Sequence, residues 1–97
     1  MRNEEAIEVL GLELAKFRDE PYASLVARMS EDGEDCVDYE VTAPTGKKYQ
    51  VQVQVFWDGS PGGNVRVMGA IDDGWWRAFM PLCRDFIKAP DGSFIGE

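Results

Sequence analysis

Apolar and polar residues alternate strictly through the middle of the chain. Residues 37–42 alternate valine or tyrosine with polar side chains, and residues 49–57 place glutamine at every second position up to Gln54. The turn sequence Pro44-Thr45-Gly46 separates the two runs. Because neighbouring side chains of a strand point to opposite faces, this pattern predicts an antiparallel hairpin with its valines buried and its glutamines exposed.

Two further segments extend the predicted sheet. Residues 65–71 alternate in the same way, Asp72-Asp73-Gly74 follows as a tight turn, and residues 75–80 form the returning strand. Pro81 ends that strand or places it at an edge of the sheet, because proline lacks the backbone donor that a central strand requires. Residues 82–88 lack a clear alternation, and we predict a short helical turn there.

The N-terminal segment has helical periodicity. Asn3 is a suitable N-cap for a helix over residues 4–18, and two acids in the first turn favour the helix dipole. The expected core face is one apolar stripe, formed by Ala6, Ile7, Leu10, Leu14 and Phe17. Val9 and Leu12 fall on the other side of the helix, among charged residues. They are either isolated exposed apolar residues or part of a contact with a second chain.

The segment after the helix permits two interpretations. Pro21 interrupts the first helix, because its ring removes a donor and restricts the preceding residue. Residues 22–30 alternate weakly, which favours a strand, whereas their alanines and Pro21 at a first helical position also suit a short helix. We predict the strand. A turn over residues 31–35 follows, in which Gly33 can adopt a positive φ.

These elements define an α+β fold with a single domain over residues 1–97. The N-terminal helix packs on one face of an antiparallel meander sheet of four to five strands, a two-layer sandwich with a short C-terminal helical turn and a tail. One helix about 10 Å wide leaves part of such a sheet uncovered. The C-terminal segment is expected to cover most of it, through Leu82, Phe86, Ile87, Phe94 and Ile95. A second copy of the chain is the next candidate to cover the remaining sheet surface. It would bind through Val9, Leu12 and an outward Trp75 or Trp76, and we predict at most a weak homodimer.

Charge is concentrated in the first part of the chain. Residues 1–40 hold 12 of the 18 acids and 4 of the 10 bases, so they account for the whole net charge of −8. Such a field repels nucleic-acid phosphates and acidic membranes, which argues against direct binding of either, and attracts a basic protein partner. The simpler interpretation is a solvated acidic face that keeps the protein soluble.

The residue inventory excludes much of enzyme chemistry. Because the chain has no histidine, imidazole acid-base steps, histidine-activated nucleophiles and histidine-ligated metals are excluded. No phosphate-binding glycine motif is present. Asp58, Asp72 and Asp73 follow strands and could form a carboxylate metal site, although aspartate is also a preferred turn residue. We therefore expect no cofactor and no resident metal.

The two cysteines have no metal-ligand spacing. Cys36 and Cys83 are read as reduced, with Cys83 a buried inert thiol despite the neighbouring Arg84. The first five residues include Glu4 and Glu5 where a secretory signal would be basic, and no run of 18 apolar residues occurs. These observations predict a cytoplasmic protein without a membrane segment.

Candidate interaction residues lie on the outward face of the predicted sheet. Polar residues of three strands are expected to neighbour one another there: Asp38, Glu40, Gln50, Gln52, Gln54 and Arg66. Trp75 and Trp76 are adjacent, so one of them must point away from the core of a strand, and exposed tryptophans often mark contacts.

Three function classes follow from these features. The favoured hypothesis is a non-catalytic protein-interaction module that binds a basic partner or itself. A metal-dependent enzyme would require the turn aspartates to converge. The third is an acidic mimic of a nucleic-acid backbone that inhibits a DNA-binding protein.

Overall fold

The computed structural model describes residues 3–29, 32–73 and 82–97. Within these ranges, four strands form one antiparallel sheet in the order β1-β2-β3-β4, and two helices pack on it. The elements are α1 Asn3–Arg18, α2 Tyr22–Arg28, β1 Glu34–Thr42, β2 Lys48–Trp57, β3 Val65–Asp72 and β4 Leu82–Lys88. The α+β class and the helix-on-meander arrangement are thus confirmed.

The predicted hairpin is present, and the valines of β2 face the core as predicted. β1 and β2 pair over their full lengths, with Val37 opposite Val53 and Asp38 opposite Gln52. The three central valines of β2 are at most 1% exposed, and Gln52 and Gln54 are exposed as predicted, whereas Gln50, also predicted to be exposed, is half-buried. Gly46 has a φ of 89°, which the tight connection requires.

Residues 22–28 form a helix, so the predicted strand is wrong. The Pro21 carbonyl accepts hydrogen bonds from the backbone N–H groups of Ser24 (2.9 Å) and Leu25 (3.1 Å), which begin the first turn. Leu25 is completely buried against the core. The alternation over residues 22–30 is weak evidence for a strand, because most of the alternating side chains are small or polar. Burial of the Leu25 side chain within these two helical turns favours the helix.

The predicted helical turn over residues 82–88 is also wrong, because this segment is β4. It pairs with β3 from Ile71 opposite Leu82 to Val65 opposite Lys88. The strand was hidden in the sequence because the positions that alternate with Phe86 hold the exposed Arg84 and the buried Lys88, which removes the apolar alternation. The unpaired edge of β3 supplies the hydrogen bonds that select the extended form. The strand predicted over residues 75–80 lies outside the described residues.

Helix α1 begins at Asn3 and buries four of the five residues of the predicted stripe, Ala6, Leu10, Leu14 and Phe17. Val9 is 5% exposed and lies in the core, whereas Ile7, expected in the core, is 39% exposed. Glu13 is 8% exposed and shares the buried face with Val9, because the Tyr39 hydroxyl and Lys16 satisfy its carboxylate. Periodicity treats glutamate as a solvent residue, so it placed the stripe too far toward Ile7.

Helix α1 packs tightly against the sheet at Gly69. A Cβ atom at this position would lie 2.9 Å from Leu14 Cδ2 and 3.0 Å from Leu10 Cδ1. Glycine therefore permits the contact between α1 and β3 because it has no side chain.

Lys88 and the tail hold the C-terminal end of α1. The buried Lys88 Nζ donates to the carbonyl oxygens of Arg18 (2.8 Å) and Glu20 (2.7 Å), two acceptors left open at the helix end. The Arg18 guanidinium stacks over the Phe94 ring and pairs with Glu97 at 2.7 Å. Phe94 packs against the core as expected, whereas Ile95 is 43% exposed.

Candidate protein-interaction surface

The face of the sheet turned away from both helices is the surface on which the sequence predicted interaction residues. We call it the open face. Strand alternation and pairing assign to it Cys36, Asp38, Glu40, Thr42, Gln50, Gln52, Gln54, Arg66, Met68, Ala70, Cys83, Asp85 and Ile87. Asp38 lies opposite Gln52, and Glu40 lies opposite Gln50, which in turn lies opposite Asp72. The acids and glutamines of the prediction are therefore neighbours on one surface.

Arg66 is already engaged within the open face. Its guanidinium pairs with Asp58 (Nη2 to Oδ1, 3.0 Å) and with Asp85 of β4. The hydrogen bond to Asp58 is the largest cause of the raised pKa of Arg66. Arg66 therefore joins the loop after β2 to β4, and we assign it a structural role in preference to partner binding.

Neither cysteine forms a disulfide and both are exposed on the open face, so the buried position expected for Cys83 is wrong. Cys36 lies on β1 and Cys83 on β4, at opposite edges of the described sheet. Three strand spacings separate them by about 14 Å. That distance exceeds the span of a disulfide within the chain.

The turn aspartates do not converge. Asp58 follows the Trp57–Val65 pair at one end of the β2–β3 hairpin, whereas Asp72 pairs with Gln50 near the other end. Seven residues of strand separate these ends by about 23 Å. The Asp73 carboxylate forms an ion pair with Lys47, with 3.4 Å between Oδ2 and Nζ. Within the described ranges, no three metal-ligating side chains form a group.

Strand β1 is an edge of the sheet and is the most acidic of the four described strands. Its sequence contains Glu34, Asp35, Asp38 and Glu40 and no basic residue. No strand in the described part of the chain pairs with its outer edge. The outward face of this strand was predicted from the sequence as a candidate binding surface, but its free edge was not. The order of strands in a sheet is not encoded in a local sequence pattern.

A hollow lies beside β1, where the flank of α1 meets the β1–β2 turn. It has a volume of about 340 Å³, and its walls are formed by Glu4, Glu5, Glu8, Val9, Leu12, Pro44 and Thr45. Glu5 accepts hydrogen bonds from the hydroxyls of Thr45 and Tyr49, each at 2.7 Å. Leu12 is 62% exposed, so it remains a candidate contact residue, whereas Val9 contributes mainly to the core. Trp75 and Trp76 lie outside the described residues.

Tyr39 links β1 to α1 through a hydrogen bond that affects its ionisation. Its hydroxyl donates to Glu13 Oε1 at 2.9 Å. Burial, followed by the hydrogen bond to Glu13, raises the pKa of Tyr39 to about 12.

We expect Tyr39 to make stability fall at high pH. A phenol whose pKa is raised on folding stabilises the protein fully below its unfolded value of about 10, and that contribution is lost as the pH rises through 12. Absorbance titration at 295 nm, as the difference between wild type and Tyr39→Phe, measures the midpoint. A difference titration centred at the ordinary value of a free phenol would contradict the expectation.

Comparison of the chain with family models, with curated proteins and with solved structures finds no match. Neither helix of the described residues combines the length and the apolar composition needed to cross a bilayer.

Proposed function

We propose that this protein is a non-catalytic protein-interaction module that binds a basic protein partner through β1. The observation that carries the proposal is the acidic edge strand, in which four of nine residues are acids and none is basic. Asp38 and Glu40 are both exposed there, and Asp38 has no ion-pair partner among the described residues. Carboxylates in this position attract a basic partner and select against an acidic one.

The acids of α1 extend the same electrostatic surface. Glu4 and Glu8 line the hollow next to the β1–β2 turn, and both are exposed. An apolar floor between them, formed by Leu12 and Pro44, can receive the aliphatic part of a lysine or arginine side chain. This combination suits a protein partner better than a nucleic acid or an acidic membrane, because both of those carry phosphates.

We further propose that the module is cytoplasmic. Cys36 and Cys83 are exposed thiols on the open face, too far apart to bond to each other. Exposed free thiols are kept in that form in reducing compartments.

Affinity capture from an extract of the source organism, washed at low and at high salt, tests the proposal. We expect the wild type to recover one basic protein at low salt and to lose it at high salt, because exposed ion pairs are screened. Asp38→Lys should lose that protein. Asp19→Lys should retain it, since Asp19 is equally exposed but lies at the C-terminal end of α1.

Two results would contradict this function. One is recovery of the same basic protein by Asp38→Lys and wild type alike, and the other is the absence of any salt-sensitive basic protein. If the captured protein binds DNA and duplex DNA displaces the module from it, the partner class becomes the one expected for a mimic of a nucleic-acid backbone.

A further inference from the structure

We propose that the partner binds by strand addition: an extended segment that alternates basic and apolar residues pairs with the outer edge of β1. This inference rests on the proposed function and specifies the chemistry of the partner and its mode of binding. An added strand forms backbone hydrogen bonds along the edge, and its alternate side chains meet the two faces of the sheet.

The two edges of the described sheet differ in whether another segment of the chain pairs with them. At β4, the tail folds back on the edge, because Phe94 forms a bridge with Lys88 and the N–H group of Ile95 donates to the Ile87 carbonyl at 2.9 Å. At β1, no described segment plays this role. β1 is regular over nine residues, and it contains no proline or lysine, two of the residues that commonly protect an edge.

The helix-facing side of β1 is incompletely covered. Val37, Tyr39 and Val41 point toward the helix layer but remain half-buried, although the two valines and the tyrosine opposite them on β2 are at most 1% exposed. The exposed Leu12 lies on the α1 flank beyond them and lines the hollow at the end of β1. A further strand would bring apolar side chains into this space, where cross-strand contact with the β1 residues buries both partners.

The other side of β1 selects the charge of the added strand. Cys36, Asp38 and Glu40 point to the open face, so the residues of the incoming strand that lie beside them meet two carboxylates. Lysine or arginine at these positions forms opposite-charge pairs, whereas acids there are destabilising. The expected segment therefore has apolar residues toward α1 and basic residues toward the open face.

The same charges argue against a second copy as the occupant. β1 carries four acids and no base, so pairing two copies of β1 places only acidic or neutral groups beside one another in every register. Like charges opposite one another on paired strands are unfavourable. Acidity thus protects the edge from self-association and leaves it open to a basic segment.

A synthetic peptide of nine residues that alternates valine and lysine is the probe. A second peptide has the same sequence with its backbone amides N-methylated, which preserves the side chains and the charge but removes the donors of the added strand. We expect the first peptide to bind saturably in calorimetry and to shift the NMR amide signals of residues 34–42. The methylated peptide should bind at least about tenfold more weakly, because several backbone hydrogen bonds are lost.

Matched variants locate the apolar contact. Leu12→Ser should weaken binding of the valine-lysine peptide several-fold. Ile7→Ser should leave it unchanged, because Ile7 is also exposed on α1 but does not line the hollow. Both substitutions are at exposed positions, and circular dichroism confirms that each variant is folded.

The outcomes separate the binding mode from the function. Equal binding of both peptides with salt sensitivity would overturn strand addition and leave the basic-partner function standing. Binding of neither peptide at low salt, together with failure of the affinity capture, would overturn both. A dimer by light scattering whose formation shifts residues 34–42 would assign the edge to a second copy and overturn the inference.

Discussion

Replacement of Val53 by aspartate is expected to abolish the folded state. Val53 is 1% exposed in the centre of β2, between Val37 of β1 and Gly69 of β3. A carboxylate there lacks a basic partner, and an unpaired buried charge costs several kcal/mol, a large part of the roughly 5–15 kcal/mol that stabilises a typical domain. Circular dichroism and thermal denaturation should show the loss of the cooperative transition.

The neighbouring position provides the control. Gln52 points to the open face opposite Asp38, so Gln52→Lys keeps the side chain in solvent and places it beside a carboxylate. Its effect on the free energy of unfolding should be within about 0.5 kcal/mol. If the two variants melt at the same temperature, the register of the hairpin is wrong.

Removal of residues 82–97 is expected to cause unfolding or aggregation. This segment supplies β4, and with it the buried Phe86 and the Lys88 amine that binds two carbonyl groups at the end of α1. Truncation leaves the long edge of β3 unpaired and exposes core side chains, a condition that favours association between chains. Light scattering and thermal melting of the truncated chain measure the outcome.

A milder variant separates the loss of β4 from damage to the tail alone. Ile95→Ser changes an exposed side chain and retains β4, so the variant should remain monodisperse and cooperative. A truncated chain with the mass and melting temperature of wild type would contradict the role assigned to β4. The weak homodimer predicted from Leu12 and the two adjacent tryptophans is tested by the same scattering measurements on the intact chain.

The sequence by itself determined the elements that have a clear local pattern of apolar and polar side chains. The hairpin of β1 and β2 was predicted with the correct residues facing the helices, because a period of two admits only one buried set. The helix α1 was predicted to within a residue at its start, and the acidic charge of β1 was read directly from the chain. Asp38, Glu40 and the glutamines were therefore correctly predicted to be neighbours.

Only tertiary structure decided the rest. Residues 22–28 and 82–88 have mixed local preferences, and each took the conformation in which its neighbours satisfy its backbone and bury its few apolar side chains. The buried face of α1 includes Glu13 because Tyr39, 26 residues away, supplies the hydrogen bond that makes a buried carboxylate tolerable. The candidate site depended on strand order in the same way: β1 is an available edge because it is the first strand in the order β1-β2-β3-β4, and the tail pairs with the end of the opposite edge strand, a long-range arrangement that no local pattern specifies.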